Sequence, residues 1–275
     1  MKDLVRTIKS ILNFFKLSKT FRNYVFFSEN SNYYNVFENI VLKLLKNKIK
    51  ITYITSDKND KILNLKNDYI KSFYISKTIG QILLLNNINC ENLIMTMPDL
   101  GNFHIKKSKY CKNYIYLFHS PVSTNMIYRN KAFINYDTIL CVGEHHYMEL
   151  NDYKDKFNLK NQKIIKFGYP KFDNLLKKYS ENKNNYIKKK NTIAPSWGLK
   201  NLINQLNNEF YENILSNDYI LNLRPHLNIQ RNDYEILKSI TKKNKHNANF
   251  KIENSNETFK KVFESEHLIT DWSGI

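Results

Sequence analysis

The residues best suited to chemistry stand where apolar runs end. His119 follows the run Tyr114–Phe118 and precedes Ser120 and Pro121. Its imidazole titrates near neutral pH and could take a proton from a hydroxyl; a histidine simply hydrogen-bonded at a strand end would leave the same signature. Arg224 and His226 flank Pro225 after the run Tyr219–Leu223. The proline makes a rigid extended turn, and the guanidinium offers a planar fork to phosphate oxygens; a capped strand end reads equally well. Asp271 and Ser273 follow a third run, His267–Thr270. A loop entering a helix there could present a hydroxyl and backbone N–H groups to an anion, or Asp271 could cap the helix. Ser196 and Trp197 follow a fourth run, and Asp99 and His104 lie in the loop before the central one. Lys171 and Asp173 open a helix and read as structural, while Trp197 could be core packing. The pair His145–His146 suggests metal ligands, but adjacent helix positions point in different directions. It is read as structural, and no metal site is expected.

An apolar run closed by polar, Pro or Gly residues is the pattern of a buried parallel strand. In open α/β sheets ligands bind outside the carboxyl ends of the strands, which puts these residues on the rim of a cleft. The spacing predicts strands over 24–27, 49–54, 73–75, 93–97, 114–118, 138–142 and 164–167, with helices over 36–45, 79–85 and 144–157 between them. The stretch Lys177–Asn191 is rich in Lys and Asn and reads as a linker, or as a solvated helix end followed by one. The rhythm then restarts, with strands over 192–194, 219–223, 250–252 and 267–270 and helices over 199–215, 233–241 and 257–263. Such alternation implies parallel βαβ units. The expected organisation is a basic amphipathic helix over 1–20, an α/β domain over 21–176, a linker over 177–191 and a second α/β domain over 192–275, with a cleft between the two. Because the chain stops just after a strand and its polar turn, the second domain is expected to be incomplete.

Composition sets the remaining bounds. With 275 residues, 42% of them hydrophobic, the chain can bury a real core, and two domains fit its length. The net charge of +18 suits a phosphate-rich partner or an anionic membrane. The abundance of Lys, Asn, Ile and Tyr typical of AT-rich genomes would produce the same charge with no functional demand, and the basic residues are spread out. Cys90, Cys111 and Cys141 are odd in number, far apart and without metal-type spacing, which fits a reduced, cytoplasmic setting. No run approaches the roughly 18 apolar residues of a membrane span, and the N-terminus lacks the apolar core and cleavage site of a secretory signal. The amphipathic helix over 1–20 could lie on an anionic membrane surface, pack on its own domain or meet a partner. The aromatics sit inside apolar runs and no nucleic-acid module is present, so nucleic acid is not an expected partner.

Taken together and in order, the strand-end motifs resemble the CDP-glycerol glycerophosphotransferase family, which builds teichoic acids and related poly(alditol phosphate) chains of the bacterial cell wall or capsule. The resemblance runs from about residue 90 to the end and rests on the turn at His119, where the family usually has His-Gly, and on Gly168-Tyr-Pro-Lys-Phe-Asp173, Ala194-Pro-Ser-Trp197, Arg224-Pro-His226 and Thr270-Asp-Trp-Ser273. Ser120, Leu227 and Gly274 depart from the family pattern. The resemblance implies a GT-B-type fold of two Rossmann-like domains with the active site between them, an acceptor domain first and a donor-nucleotide domain second. It implies a CDP-alditol donor, a glycan or lipid-linked acceptor, no cofactor and no metal at the phosphates, in a cytoplasmic protein peripheral on the inner face of the membrane. On this reading His119 is the general base and His226 donates a hydrogen bond to the leaving phosphate. Arg224, Asp271, Ser273, Ser196 and Trp197 form the donor side, and Asp99 and His104 face the acceptor. A GT-B glycosyltransferase using a nucleotide sugar and a non-catalytic scaffold in surface-polymer synthesis are the alternatives.

Overall fold

The computed structural model describes residues 2–182, 187–198, 200–226, 229, 234–253 and 260–271. The chain divides into two compact units, Met1–Asn174 and Leu175–Ile275.

The first unit is built on a seven-stranded sheet in the order β3-β2-β1-β4-β5-β6-β7. The strands are β1 (Tyr24–Ser28), β2 (Ile51–Thr55), β3 (Ile70–Tyr74), β4 (Cys90–Met95), β5 (Cys111–Leu117), β6 (Thr138–Cys141) and β7 (Lys163–Lys166). Every neighbouring pair is parallel. The chain winds outward from β1 to β3, crosses back to β4 and winds the other way, so the winding reverses between β1 and β4. Such a switch point opens a crevice at the carboxyl ends of those strands. Both faces of the sheet are covered, which is why its strands read as continuous apolar runs. Along β1, Val25 and Phe27 enter one core with Tyr116 and Phe118, while Phe26 enters the other with Phe37, Tyr53 and Leu117.

The helices are α1 (Lys2–Phe15), α2 (Tyr34–Lys46), α3 (Ile79–Leu85), α4 (Thr124–Ile127), α5 (Glu144–Lys156) and α6 (Pro170–Asn182), the last crossing from the first unit into the second. Helix α1 packs on its own domain: Phe14 is fully buried, and Thr7 Oγ1 accepts a hydrogen bond from the Ser76 N–H at 2.9 Å. Its other side leaves Leu4, Val5, Ile8, Leu12 and Phe15 exposed.

In the second unit β8 (Ile187–Ala194), β9 (Ile220–Leu223), β10 (Phe250–Ile252) and β11 (Ser265–Thr270) form a parallel sheet in the order β10-β9-β8-β11. Ile193, Leu221 and Leu223 pack with Tyr211, Leu215, Leu237 and Ile240 from α8 (Asn208–Ser216) and α9 (Tyr234–Asn244), which follow the short α7 (Leu202–Gln205). A last short helix, α10, spans Lys260–Phe263.

Three details differ from the sequence expectations. The single helix expected over 199–215 is two, because Leu206 is extended and the Asn207 side chain caps a new start by accepting from the Phe210 N–H at 3.0 Å. The polar stretch 177–191 is helical to Asn182 and a strand from Ile187; Lys188 and Lys189 are exposed, while Lys190 is buried against Glu264 at 2.9 Å. Strands β3 and β5 begin at Ile70 and Cys111, earlier than their apolar centres indicate. All three cysteines are free and buried. Among the described residues no helix is long and apolar enough to cross a membrane.

Candidate active site

His119 stands just beyond β5, half-buried, on a cleft of about 500 Å³ at the carboxyl ends of β1, β4 and β5. Glu29, Tyr33, Asp99 and Arg129 line the same cleft. The Tyr33 ring lies 5.0 Å from the imidazole, tilted by 51°. Tyr169 Oη donates to the His119 carbonyl at 2.8 Å, so the Gly168–Asp173 motif fixes the backbone of the histidine. Gly168 itself adopts φ +97°, a conformation that suits glycine, and its N–H bonds the Cys141 carbonyl at 3.0 Å. Burial pushes the His119 pKa below its ordinary value; the Thr96 backbone offsets part of this, and the Lys171 charge acts in the same direction as burial. The ring is therefore neutral at pH 7 and able to accept a proton. Burial likewise raises Glu29 above the usual carboxylate range, against an opposing pull from Lys77.

The loops that carry these residues are held by their neighbours. Ser31 donates twice to Asp57 Oδ2, from its N–H at 3.1 Å and its hydroxyl at 2.6 Å, which ties the loop of Glu29 to the end of β2. Asp99 adopts φ +62°, and its N–H bonds the Ala132 carbonyl at 2.9 Å; Asn135 Nδ2 donates to the Leu100 carbonyl at 2.6 Å and Tyr136 Oη to the Met97 carbonyl. The loop after His119 is held from α5. His145 Nε2 bonds the Pro121 carbonyl and His146 Nε2 the Val122 carbonyl, each at 2.8 Å. Glu149 accepts from the Ser123 hydroxyl and from the Thr124 N–H and hydroxyl, all at 2.6 Å. Both histidines thus spend a ring nitrogen on backbone carbonyls, and no metal-binding cluster occurs among the described residues.

In the second unit the other motifs gather at the carboxyl edge of β9, β8 and β11, which are adjacent in the sheet. Asp271 accepts from the Ser196 N–H at 2.6 Å and from the Leu202 N–H at 2.7 Å, one on each carboxylate oxygen. It therefore orients the loop after β8. Thr270 Oγ1 adds a bond to the Ala194 carbonyl at 2.7 Å. Trp197 is mostly exposed, and its ring stacks near His226 with centroids 6.4 Å apart and planes 30° apart. Burial lowers the His226 pKa. Arg224 is buried at the end of β9, where its N–H bonds the Ile193 carbonyl at 2.8 Å. Ser273 lies outside the described residues.

The structure brings Asp99 to the His119 cleft and His104 to an adjoining cavity. It groups Ser196, Trp197, Arg224, His226 and Asp271 on one sheet edge. Sequence reasoning passed over Glu29, Tyr33 and Arg129. Glu29 follows β1 as His119 follows β5, so the strand-end rule that singled out the histidine would have found it.

The family model described as CDP-Glycerol:Poly(glycerophosphate) glycerophosphotransferase matches residues 118–275, more than half of the chain. Among solved structures the chain is similar to the wall teichoic acid polymerase TagF soaked with CDPG, at 14% identity, covering 98% of this chain and 71% of that one with a TM-score of 0.55. It is also similar to the UDP-GlcNAc 2-epimerase of Neisseria meningitidis bound to UDP-GlcNAc, at 13% identity, 90% and 77% coverage and a TM-score of 0.54. The UDP-GlcNAc 2-epimerase of Methanocaldococcus jannaschii, in complex with UDP-GlcNAc and UDP, gives 13%, 91% and 79%, and 0.54. At these identities the likeness is one of fold: α/β units of the GT-B type. A comparison with curated proteins finds no match.

Proposed function

The chain belongs to the CDP-glycerol:poly(glycerophosphate) glycerophosphotransferase family, and from that premise we propose that it moves glycerol phosphate, or a related alditol phosphate, from a CDP-linked donor to a hydroxyl of a cell-surface glycan or teichoic-acid-like acceptor. The observation that carries the reading is His119, neutral and half-buried on a polar cleft at the carboxyl end of β5. The acceptor hydroxyl gives its proton to His119 as its oxygen attacks the β-phosphorus of the donor. The bond from that phosphorus to the bridging oxygen breaks, and CMP leaves with the electron pair. Such transfer is mostly positioning and electrostatics.

The first unit takes the acceptor and the second the donor. Arg224 neutralises diphosphate oxygens, and His226 donates a hydrogen bond to the leaving phosphate, its ring stacked near Trp197. Asp271 acts through the loop of Ser196 and Trp197, and Ser273 supplies a hydroxyl to the diphosphate. The exposed apolar side of α1, with Lys9 and Lys16 beside it, lies on the anionic inner face of the membrane, where a lipid-linked acceptor would be found.

The test is CMP release from CDP-glycerol and CDP-ribitol in the presence of a glycan acceptor. Release that disappears in His119→Ala and Arg224→Ala supports the reading. Turnover of UDP-sugars alone would replace it with a glycosyltransferase.

A further inference from the structure

We propose that Cys90 and Cys111 form a reversible oxidation site, bridged to a disulfide by a peroxide and reopened by a thiol. In sequence the two are 21 residues apart, but the parallel pairing of β4 and β5 sets them directly across from one another. Both side chains enter the same core, and the Cys90 S–H donates to the Cys111 sulfur at 3.5 Å. Adjacent strands lie about 4.8 Å apart, which falls within the roughly 4.4–6.8 Å between Cα atoms that a disulfide spans.

The register is fixed immediately beyond the pair. Lys112 Nζ meets Glu91 Oε1 at 2.9 Å, and Asn113 Nδ2 donates to Asn92 Oδ1 at 2.9 Å, so the strands are tied side chain to side chain at the next positions. Closing the bridge therefore calls for side-chain rotation and no strand slip. The shared hydrogen bond also prepares the pair for reaction. It holds the Cys111 pKa below the ordinary thiol value, against burial, and raises that of Cys90, the donor, so Cys111 ionises first. Cys141 is the contrast. It ends β6, where its neighbour Leu140 pairs with Leu117 at the far end of β5 from Cys111, about 20 Å away at roughly 3.3 Å per residue. Burial alone pushes the Cys141 thiol up to about 12.

The chemistry balances with hydrogen peroxide as the oxidant. The Cys111 thiolate attacks one peroxide oxygen, the O–O bond breaks and a sulfenic acid forms, while the released hydroxide takes up the proton that Cys111 gave off. The Cys90 sulfur then attacks the Cys111 sulfur, the S–O bond breaks, and the departing hydroxide leaves as water with the Cys90 proton. Two thiols lose two electrons and one peroxide becomes two waters. The bridge lies at the amino ends of β4 and β5, whereas His119 stands beyond the carboxyl end of β5. Between the two cysteines runs the loop of Pro98, Asp99, Phe103 and His104, which line the cavities beside His119. Oxidation thus fastens the strands on either side of that loop and leaves the groups of the cleft untouched.

The reduced full chain is treated with hydrogen peroxide, quenched in acid, unfolded, alkylated with N-ethylmaleimide and digested without reductant. Mass spectrometry is expected to find Cys90 joined to Cys111 within one chain and Cys141 alkylated, and to find all three cysteines alkylated when dithiothreitol follows the peroxide. The oxidised chain should melt several degrees above the reduced one, since the bridge restrains the unfolded state. Cys90→Ala and Cys111→Ala should lose both the linkage and that gain, and their melts in reductant show whether they fold. The linkage in the parent chain is read without them, so a variant that fails to fold leaves the test intact. Three alkylated thiols after peroxide, sulfinic or sulfonic acid at either residue in place of the link, a bridge to Cys141 or between chains, or a melting temperature that does not rise overturns the assignment. So does a Cys90–Cys111 link no more frequent in the folded chain than in one oxidised in guanidinium, where the pairing of β4 and β5 plays no part.

Discussion

His146 Nε2 lies 2.8 Å from the carbonyl oxygen of Val122, so the helix that follows β6 grips the loop that follows β5. His145 and Glu149 extend the grip, and residues 121–124 are each bonded to a side chain of α5. His119 sits immediately before that loop, and its own carbonyl is bonded by Tyr169. The base role proposed for His119 would need this kind of support, because small displacements of a reacting group cost rate steeply.

The grip has a pH signature. Burial pushes the Glu149 carboxyl upward, but the hydrogen bonds from Ser123 and Thr124 outweigh it and hold the pKa below the usual value. A depressed carboxylate contributes stability that is present above its unfolded pKa and is lost as pH falls through its folded one. Glu149→Ala should cost about 2 kcal/mol at pH 7, and the difference from the parent should shrink towards pH 3. Thermal melts of both proteins across that range measure it; a pH-independent difference would remove the carboxylate from the account.

His119 gives a second titration, in activity. The lowered pKa keeps the ring neutral to below the ordinary histidine value of about 6.5. A base must be deprotonated, so the acidic limb of kcat/KM, which reports the free protein, is expected to have its midpoint under that value. His119→Ala should reduce kcat by about 10²- to 10⁴-fold with the thermal response to CDP retained. Loss of both together would make the residue structural.

Asp271 should separate positioning from folding in the second unit. Its carboxylate takes two backbone N–H groups, those of Ser196 and Leu202, which no other described group is seen to accept. Asp271→Ala should destabilise by about 3 kcal/mol, whereas Asp271→Asn, which keeps one acceptor, should lose less and retain part of the stabilisation by CDP. Equal losses in the two variants, followed by denaturation and CDP titration, would contradict a positioning role.

The alternation of strands and helices was legible because both faces of the first sheet are buried, which leaves runs such as Tyr114–Phe118 unbroken. The strand ends were legible for the same reason, since Pro, Gly and polar residues interrupt those runs abruptly. Three features were hidden. The start of β8 at Ile187 lies in a lysine-rich stretch, and it is a strand because Ile187 pairs with Ser265 of β11 and its N–H bonds the Glu264 carbonyl at 2.7 Å, while Lys190 meets the Glu264 carboxylate. The break between α7 and α8 turns on a single Asn207 side chain within an otherwise periodic segment. Arg129 follows no strand directly and is an ordinary surface-type residue in sequence, and only the winding reversal between β1 and β4 makes its place on the cleft meaningful.

Helix α1 offers the sharpest contrast between two faces of one element. Phe14 is fully buried against the first core, so Phe14→Ala should cost about 3–5 kcal/mol. Val5 and Leu12, at 65% and 56% exposure, contribute little to folding, and replacing both with Ser should leave the melting temperature nearly unchanged. If that side rests on a membrane, the same pair should matter there, since each side chain would bury apolar surface in lipid. Binding of the double variant to vesicles with anionic phospholipid should fall more than about tenfold, and binding to neutral vesicles should be weak for both proteins. Undiminished binding to anionic vesicles would place the attraction in the general basic charge of the chain, leaving α1 as packing alone.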